Sequence, residues 1–388
     1  MSIKEEKGTV SGMRIGIDAH MIGDHSGGNE SFYSGVFGEF QPDKGDDYFL
    51  FLKEGVDDTA YCDRFNIVRF KSHNAFIRNF VELSILAKKL KLDLLHTQYY
   101  IPFIRPCPVI CTIHDICFEH YKDIFTKGEY FRNKLLIPYA AKHSAGIVTV
   151  SEFSKKDIAE RYHISPKKIH VVYNAVDPVF RKMTLDELAA VGVREKYAIG
   201  NDPYIISVGN LQPRKNIPRL IQAYSMYKKR HPEKQLKLVI VGKKAWMYDE
   251  ILKHAQTDPS NIVLTGYVER EDLVALINEA RGFVYPSIFE GFGIPPLEAL
   301  ACGTQAAVSD IPVMREVLGE STETEFFDPL SVESICEAIE RLVNKSVIEG
   351  ADVLRRYSWK KSAEVMREIY MALCYRTTGQ REKRLDEY

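Results

Sequence analysis

The sequence predicts an α/β protein made of two successive units, each a parallel sheet covered by helices. Three observations predict it. Short apolar runs rich in Val and Ile alternate with longer amphipathic stretches, which is the pattern of buried strands joined by crossover helices. That alternation breaks at Gly200-Asn-Asp-Pro203, a linker-like run, and restarts at Tyr204-Ile-Ile-Ser-Val-Gly209. The chain has 388 residues, a two-domain length, and is 45% hydrophobic, enough for two cores.

Taken in order, Met1–Gly12 is polar and charged, without the apolar segment of a signal peptide, and reads as a disordered leader. Met13–Asp18 is the first strand. The glycine loop Asp24-His-Ser-Gly-Gly-Asn-Glu30 and a helix over Ser31–Phe40 follow. Strand, glycine loop and helix form the local plan of a nucleotide-binding unit, although the dinucleotide fingerprint G-x-G-x-x-G is missing. Gly27 and Gly28 would let backbone approach a ligand; the plainer reading is an ordinary turn. Tyr48–Lys53 and Ile67–Phe70 are strands, Asn74–Lys91 is a helix with a basic end, and Leu92–Gln98 and Val109–His114 are buried-type strands. The last of these ends in Thr112-Ile-His-Asp115. Ligands of open parallel sheets bind at strand carboxyl ends, so His114 and Asp115 stand at a functional address. A hydrogen-bonded structural histidine is the alternative.

Tyr121–Ser144 is aromatic and basic. Gly146–Ser151 and Lys168–Asn174 are strands on either side of a helix over Ser154–Tyr162, and Thr184–Tyr197 is a polar helix. In the second unit the strands are Tyr204–Gly209, Leu236–Gly242, Ile262–Gly266, Gly282–Tyr285, Thr304–Ser309 and Thr324–Asp328. Its helices are Pro218–His231, Ile251–Thr257, Arg270–Ala280, Leu297–Cys302 and Ser331–Asn344. Ser358–Tyr375 is a last amphipathic helix before a charged tail.

Net charge is −1, which argues against a nucleic-acid binder held by phosphate contacts, and no apolar run is long enough to span a bilayer. Seven scattered cysteines in a chain without a signal peptide indicate reduced thiols and a cytoplasmic protein. Cys107, Cys111 and Cys117 lack zinc-ribbon spacing and read as buried structural residues despite nearby His114 and His120.

One stretch organises the functional reading: Glu290-Gly-Phe-Gly-Ile-Pro-Pro-Leu-Glu-Ala-Leu-Ala-Cys-Gly303. It follows a strand. The prolines suit the start of a helix, Gly303 suits its end, and Glu298 is expected in the first turn. A helix start favours an anion. Two carboxylates beside an anion site make sense if the ligand carries hydroxyls next to phosphates, because a carboxylate only accepts hydrogen bonds. A nucleotide sugar has both. Arg214 and Lys215, just past a buried-type strand, are the matching cations; the bland reading is two solvated surface charges.

At these residues the chain resembles the retaining glycosyltransferases of family 4, which have the GT-B fold. Glu290 and Glu298 match the E-x-seven-E motif, and Ser207-Val-Gly-Asn-Leu-Gln-Pro-Arg-Lys-Asn216 is similar to the family's strand-end loop. Thr112-Ile-His-Asp115, Val150-Ser-Glu-Phe-Ser154 and Val172-Tyr-Asn-Ala-Val-Asp177 are similar to its first-domain markers. Asn29, Asp310 and the lack of proline after Thr304 depart from the usual pattern, at the edges that meet the sugars.

The resemblance implies two Rossmann-like domains with sheets facing across a cleft and a C-terminal helix crossing back to the first. The expected limits are 1–12 for the leader and 13–199 for an acceptor-side domain. A nucleotide-sugar domain would span 200–355, the crossover helix 356–375 and the tail 376–388. It further implies that Arg214 and Lys215 neutralise a diphosphate, that Glu290 holds donor-sugar hydroxyls, and that Glu298 holds the ribose. His114 would face the sugar. Gly27, Gly28, Gly209, Asn210, Gly291, Phe292, Gly293, Ile294 and Leu297 would line the donor, with Asp115 and Asn174 as secondary candidates. Without an Asp-x-Asp motif, no metal or other cofactor is expected. The nearest resemblance is to bacterial O-antigen and polysaccharide mannosyltransferases. It implies transfer of a hexose, first GDP-mannose, then UDP-glucose or UDP-N-acetylglucosamine, to a glycan or lipid-linked glycan. Tyr121–Lys142 and Lys88-Lys-Leu-Lys91 are candidates for peripheral contact with an anionic membrane. A GT-B sugar epimerase and a non-catalytic glycan-binding protein are the rival classes.

Overall fold

The computed structural model describes residues 12–24, 27–243, 253, 255–256, 258–319, 321–345 and 352–385. The expected leader therefore lies outside the described residues except for Gly12, and so does most of the helix expected over Ile251–Thr257. Two sheets form, and every recorded strand pairing in them is parallel. The first contains β1 (Arg14–Asp18), β2 (Asp47–Leu52), β3 (Asn66–Arg69), β4 (Leu94–Gln98), β5 (Val109–Thr112), β6 (Gly146–Thr149) and β7 (Ile169–Val171), in the order β3-β2-β1-β4-β5-β6-β7. The second contains β8 (Tyr204–Val208), β9 (Lys237–Val241), β10 (Ile262–Gly266), β11 (Gly282–Tyr285), β12 (Ala306–Ser309) and β13 (Thr324–Phe327), in the order β10-β9-β8-β11-β12-β13. Strand order reverses between β1 and β4 and between β8 and β11. In doubly wound sheets those are the places where ligands sit.

The carboxyl edges of the two sheets meet. Phe289, beyond β11, stacks on His120 with ring centroids 5.3 Å apart and packs against Phe153 at 5.7 Å. The Ser151 hydroxyl, beyond β6, donates to the Gly291 carbonyl at 2.6 Å. The last helix, Trp359–Leu385, returns to the first sheet. There Tyr370 packs on Phe40 and Tyr48 and its hydroxyl meets His96 Nδ1 at 2.6 Å, while Ser362 donates to the Tyr173 carbonyl at 2.6 Å. One buried apolar cluster thus runs from β1 and β2 through this helix into the second unit. This is the GT-B plan.

Several elements differ from the sequence reading. The first helix begins at Gly28 rather than Ser31, with Gly27 as its N-cap at φ 80°, so the Gly28 amide belongs to the helix start. Gly192, at φ 63°, breaks the expected Thr184–Tyr197 helix into Leu185–Val191 and Val193–Lys196. A helix over Pro312–Leu318 escaped notice because it is short, with an N-terminal proline that reads as a turn. The last helix continues past Tyr375 to Leu385. All seven cysteines are free, and all except Cys62 are buried.

Candidate active site

The site is built where β8 and β11 diverge. β8 ends at Val208, Gly209 follows it, and a short 3-10 turn, Pro213–Lys215, presents Arg214 and Lys215. Asn216, in the left-handed conformation at φ 57°, ends that turn; its amide nitrogen donates to the Pro286 and Pro329 carbonyls at 3.1 and 2.7 Å. The Ile288 amide donates to the Arg214 carbonyl at 2.9 Å, tying the turn to the loop after β11. That loop delivers Glu290.

Glu290 is buried and takes up both cations. Its Oε1 accepts from Lys215 Nζ at 2.6 Å and from the Tyr285 hydroxyl at 2.9 Å, and its Oε2 lies 2.5 Å from an Arg214 guanidinium nitrogen. Lys215 also donates to the Tyr285 hydroxyl at 2.6 Å and sits 4.6 Å from that ring's centroid. Burial works against the Glu290 charge, but Arg214 and Lys215 outweigh it and hold the carboxyl down at about 2. Burial pulls the Lys215 ammonium down to about 8 against the opposing pull of Glu290. Arg214 is also anchored by the Phe289 carbonyl at 3.0 Å, and its charge is reinforced by Glu290 and Asp115. A carboxylate offers about four lone-pair positions. Three are occupied here, which leaves one on Oε2 for a ligand hydroxyl. Ser207, Gly209, Lys215, Tyr285 and Ser287 line this point closely.

The motif glycines have steric reasons. Gly293 adopts φ 91°, and a Cβ there would come within 2.2 Å of Met314 Cε. At Gly291 a Cβ would stand 2.9 Å from the His114 carbonyl oxygen, so only glycine lets this loop press on the first unit. Phe292, Ile294 and Leu297 are buried in the core, and of their backbone amides those of Phe292 and Ile294 precede the first intrahelical bond and are the ones a donor can meet. The helix Ile294–Ala301 puts Glu298 in its second turn, not its first. Anion stabilisation at the helix start therefore does not explain Glu298. Burial raises its carboxyl to about 7, Asp177 adding to the rise and Arg270 opposing it. The structure does not bring Glu298 into the Arg214–Glu290–Lys215 cluster.

From the first unit, His114 is buried against Phe32, ring centroids 5.1 Å apart, and receives the Gln98 side-chain amide at 2.8 Å. With Gln98 donating to Nε2, the ring proton sits on Nδ1. Burial lowers the His114 pKa to about 3, so the imidazole is neutral at any working pH. Asp115, raised by burial and opposed by Arg214, accepts from the Cys117 amide at 2.9 Å. The Asn174 amide oxygen is buried without a partner among the described residues. A Cβ at Gly27 would begin 3.9 Å from Asn210 Nδ2, which brings the first glycine loop to the second unit's strand-end loop; Gly28 faces open space. Tyr285, Asn216 and Ser287 escaped the sequence reading. Tyr285 looks like any aromatic at the end of a buried strand, and only its hydroxyl between Lys215 and Glu290 marks it.

Residues 193–362 match Glycosyl transferases group 1, and residues 40–180 match Glycosyltransferase Family 4. O-antigen chain mannosyltransferase B of Escherichia coli is 30% identical over 281 residues, covering 68% of this chain and 70% of that protein. The serotype-specific mannosyltransferase WbdA of Escherichia coli is 26% identical over 281 residues, covering 69% of this chain but only 34% of WbdA, so the chain matches about a third of that relative's length. Among solved structures, Anabaena Alr3699/HepE in complex with UDP and glucose superposes with a TM-score of 0.71 at 14% identity, over 92% of this chain and 99% of that one. That likeness is one of fold.

Proposed function

The chain belongs to glycosyltransferase family 4, and from that membership we propose that it moves a hexose from a nucleotide-diphosphate sugar to a glycan or lipid-linked glycan, with retention at the anomeric carbon. The observation that carries the reading is the Arg214–Glu290–Lys215 cluster at the β8/β11 switch point, a preorganised pair of cations fixed by one buried carboxylate. In the reaction the bond between the anomeric carbon and the diphosphate oxygen breaks. Arg214 and Lys215 hold the negative charge that develops on the leaving diphosphate. Glu290 keeps both cations aimed and offers its remaining lone pair to a donor hydroxyl. Neutral His114 donates through Nδ1 to the sugar. Glu298, half-buried and titrating near neutrality, takes the ribose hydroxyls. Membership of the family favours front-face attack, with a diphosphate oxygen accepting the acceptor proton, and Asp115 is held by the Cys117 amide at 2.9 Å. Side-chain cations do the work a metal would otherwise do, so chelation is expected to leave transfer intact. The mannosyltransferase relatives favour GDP-mannose over UDP-glucose or UDP-N-acetylglucosamine.

The acceptor side supports work at the cytoplasmic face of a membrane. Phe76, Ile77, Val81, Ile85, Phe103 and Ile104 are exposed, and the Phe80–Phe103 stack at 4.9 Å joins their two segments. Phe103 in turn meets Tyr139 at 5.4 Å, on the helix that exposes Phe131 and Leu135 beside Lys127, Arg132 and Lys134. An apolar face bordered by basic residues suits an anionic bilayer surface. Co-sedimentation with phosphatidylglycerol vesicles, abolished by Phe103→Ser with Ile104→Ser, is the expected result.

The deciding experiment is a thermal-shift screen of GDP, UDP, ADP and their sugars followed by transfer assays with and without chelator. A nucleotide sugar that raises Tm and is consumed only with acceptor present supports the reading. Acceptor-independent isomerisation of a UDP-sugar would replace it with the epimerase reading.

A further inference from the structure

The helical segment after β3 has an unusual inner face. Helix Ala75–Ile77 passes into a π-turn over Arg78–Glu82, closed by the Leu83 amide on the Arg78 carbonyl, and then into helix Leu83–Lys89. Further along, the inward positions are Leu83 and Ala87, as periodicity demands. In the π-turn the inward positions are two adjacent polar residues, Arg78 at 6% exposure and Asn79 at 8%. Turns of this kind recur at functional sites because one extra residue re-aims the side chains around it.

These two side chains are left unsatisfied. Arg78 Nε and the Asn79 amide oxygen are buried with no hydrogen-bond partner among the described residues. Arg78 lies 5.7 Å from the Phe70 ring centroid, and its charge acts on Asp18. Arg64 is the contrast. It is an arginine serving structure alone, and its guanidinium donates to the carbonyls of Gly38 and Phe40 at 2.8 Å and to that of Ala60 at 2.5 Å. A buried polar atom without a partner, as Arg78 Nε and the Asn79 amide oxygen are among the described residues, costs stability that a ligand would recover.

The neighbours narrow the ligand. Asp18, the last residue of β1, accepts from His20 Nδ1 at 2.7 Å, which leaves Nε2 of His20 for another partner. β1 borders the first sheet's switch point, with Gln98 and His114 at the ends of the next two strands. The group therefore combines a donor-only guanidinium, an acceptor-only carboxylate, and an amide and an imidazole that do both. Sugar hydroxyls, each of which donates and accepts, fit that mixture; a lone anion would meet the Asp18 charge.

We infer that Arg78 and Asn79, together with His20 and Asp18, form the subsite that takes neighbouring hydroxyls of the acceptor sugar. This rests on the glycosyl-transfer reading and assigns specificity residues to its acceptor side. The test uses the full chain, GDP and UDP at saturation, and methyl glycosides of mannose, glucose, galactose and N-acetylglucosamine, chosen because they lack a chain that the apolar face could hold. Saturation-transfer NMR is expected to detect saturable binding of at least one glycoside. Asn79→Leu and Arg78→Met should each weaken it roughly tenfold, the size of one lost buried hydrogen bond, with nucleotide affinity unchanged and Tm equal to or above that of the parent. A structural role would instead lower Tm and leave glycoside binding unchanged. That result, or a parent protein that binds none of the four, overturns the inference. Failure of the transferase reading would look different: no nucleotide sugar consumed, whatever the glycosides do.

Discussion

Arg214 and Arg78 both follow a strand of a parallel sheet, Arg214 after β8 at a switch point and Arg78 in the helical segment after the edge strand β3, yet they are held in opposite ways. Arg214 is the less buried of the two and is fully engaged, by Glu290, the Phe289 carbonyl and, at 3.3 Å, the Gln212 side chain. Arg78 is deeper, and its Nε has no partner among the described residues. The contrast teaches where the protein has fixed its charges before substrate arrives. On the second sheet the cations and their carboxylate are already in register, which is how an electrostatic stabiliser avoids reorganising during reaction. On the first sheet Arg78 Nε and the Asn79 amide oxygen have no partner among the described residues, which is what the proposed acceptor subsite requires. Changes on the second sheet should therefore slow the chemistry, and changes on the first should weaken acceptor binding.

The largest effect tests that division directly. Arg214→Ala is expected to lower kcat/KM by roughly 10²–10³, mostly through kcat, as removal of one transition-state donor does. It also strips Glu290 of one of its two cations. Breaking a buried pair destabilises by roughly 3–5 kcal/mol, and the partial exposure of Arg214 puts the expected loss at about half that. Tm should fall while unfolding stays cooperative. Turnover near that of the parent would break the comparison at its stronger end.

A smaller effect comes from pH. The Lys215 ammonium in the free protein titrates at about 8, lowered by burial. Diphosphate binding needs it charged, so affinity is complete below that value and declines about tenfold per unit as pH rises above it. Glu298, raised by burial to about 7, is expected to set the other limb: if its carboxylate accepts from the ribose hydroxyls as proposed, affinity also declines as pH falls below about 7. Titration of nucleotide binding should give a narrow bell. Lys215→Arg should flatten only the alkaline limb and Glu298→Gln only the acid limb. A bell unchanged by both substitutions would remove these residues from the donor site.

The fold was readable because buried parallel strands advertise themselves. β4, β5, β8, β9 and β11 are apolar runs whose ends fall close to where the sequence puts them. The proposed donor side rests on residues that the sequence gathers into two short loops, Asn210–Asn216 and Glu290–Gly303, and the structure brings Arg214, Lys215 and Glu290 of those loops into contact. What the loops do to each other was not. Nothing in the spacing says that Glu290 occupies both cations, since the contact joins residues 75 apart in the chain. Arg78 and Asn79 were hidden for another reason. They sit in a segment with good helical periodicity, and a π-turn shifts which face they present, a change in phase that a 3.6-residue pattern cannot register. Glu316 was missed with its helix.

Glu316 gives the smallest expected effect. From the second unit its carboxylate accepts the Glu152 and Phe153 amides, both at 2.8 Å, at the start of the Glu152–Tyr162 helix of the first unit. Those amides are free donors at a helix N-terminus, so a carboxylate there is worth about 1 kcal/mol. The bond crosses between the units beside the one from Ser151 to Gly291, so it holds the Glu290 loop against His114 as well as capping a helix. Removing it should loosen contact between units without touching the cations. Glu316→Ala is therefore expected to raise the donor KM about fivefold, the equivalent of about 1 kcal/mol, with kcat within about twofold. Its radius of gyration by small-angle scattering should increase without nucleotide and return to the parent's with nucleotide bound. Glu316→Gln retains one accepting oxygen and should fall between parent and Ala. A lower Tm with KM and radius both unchanged would reduce Glu316 to a helix cap and leave the Glu290 loop to be held by Ser151, Ser154 and the Phe289 contacts.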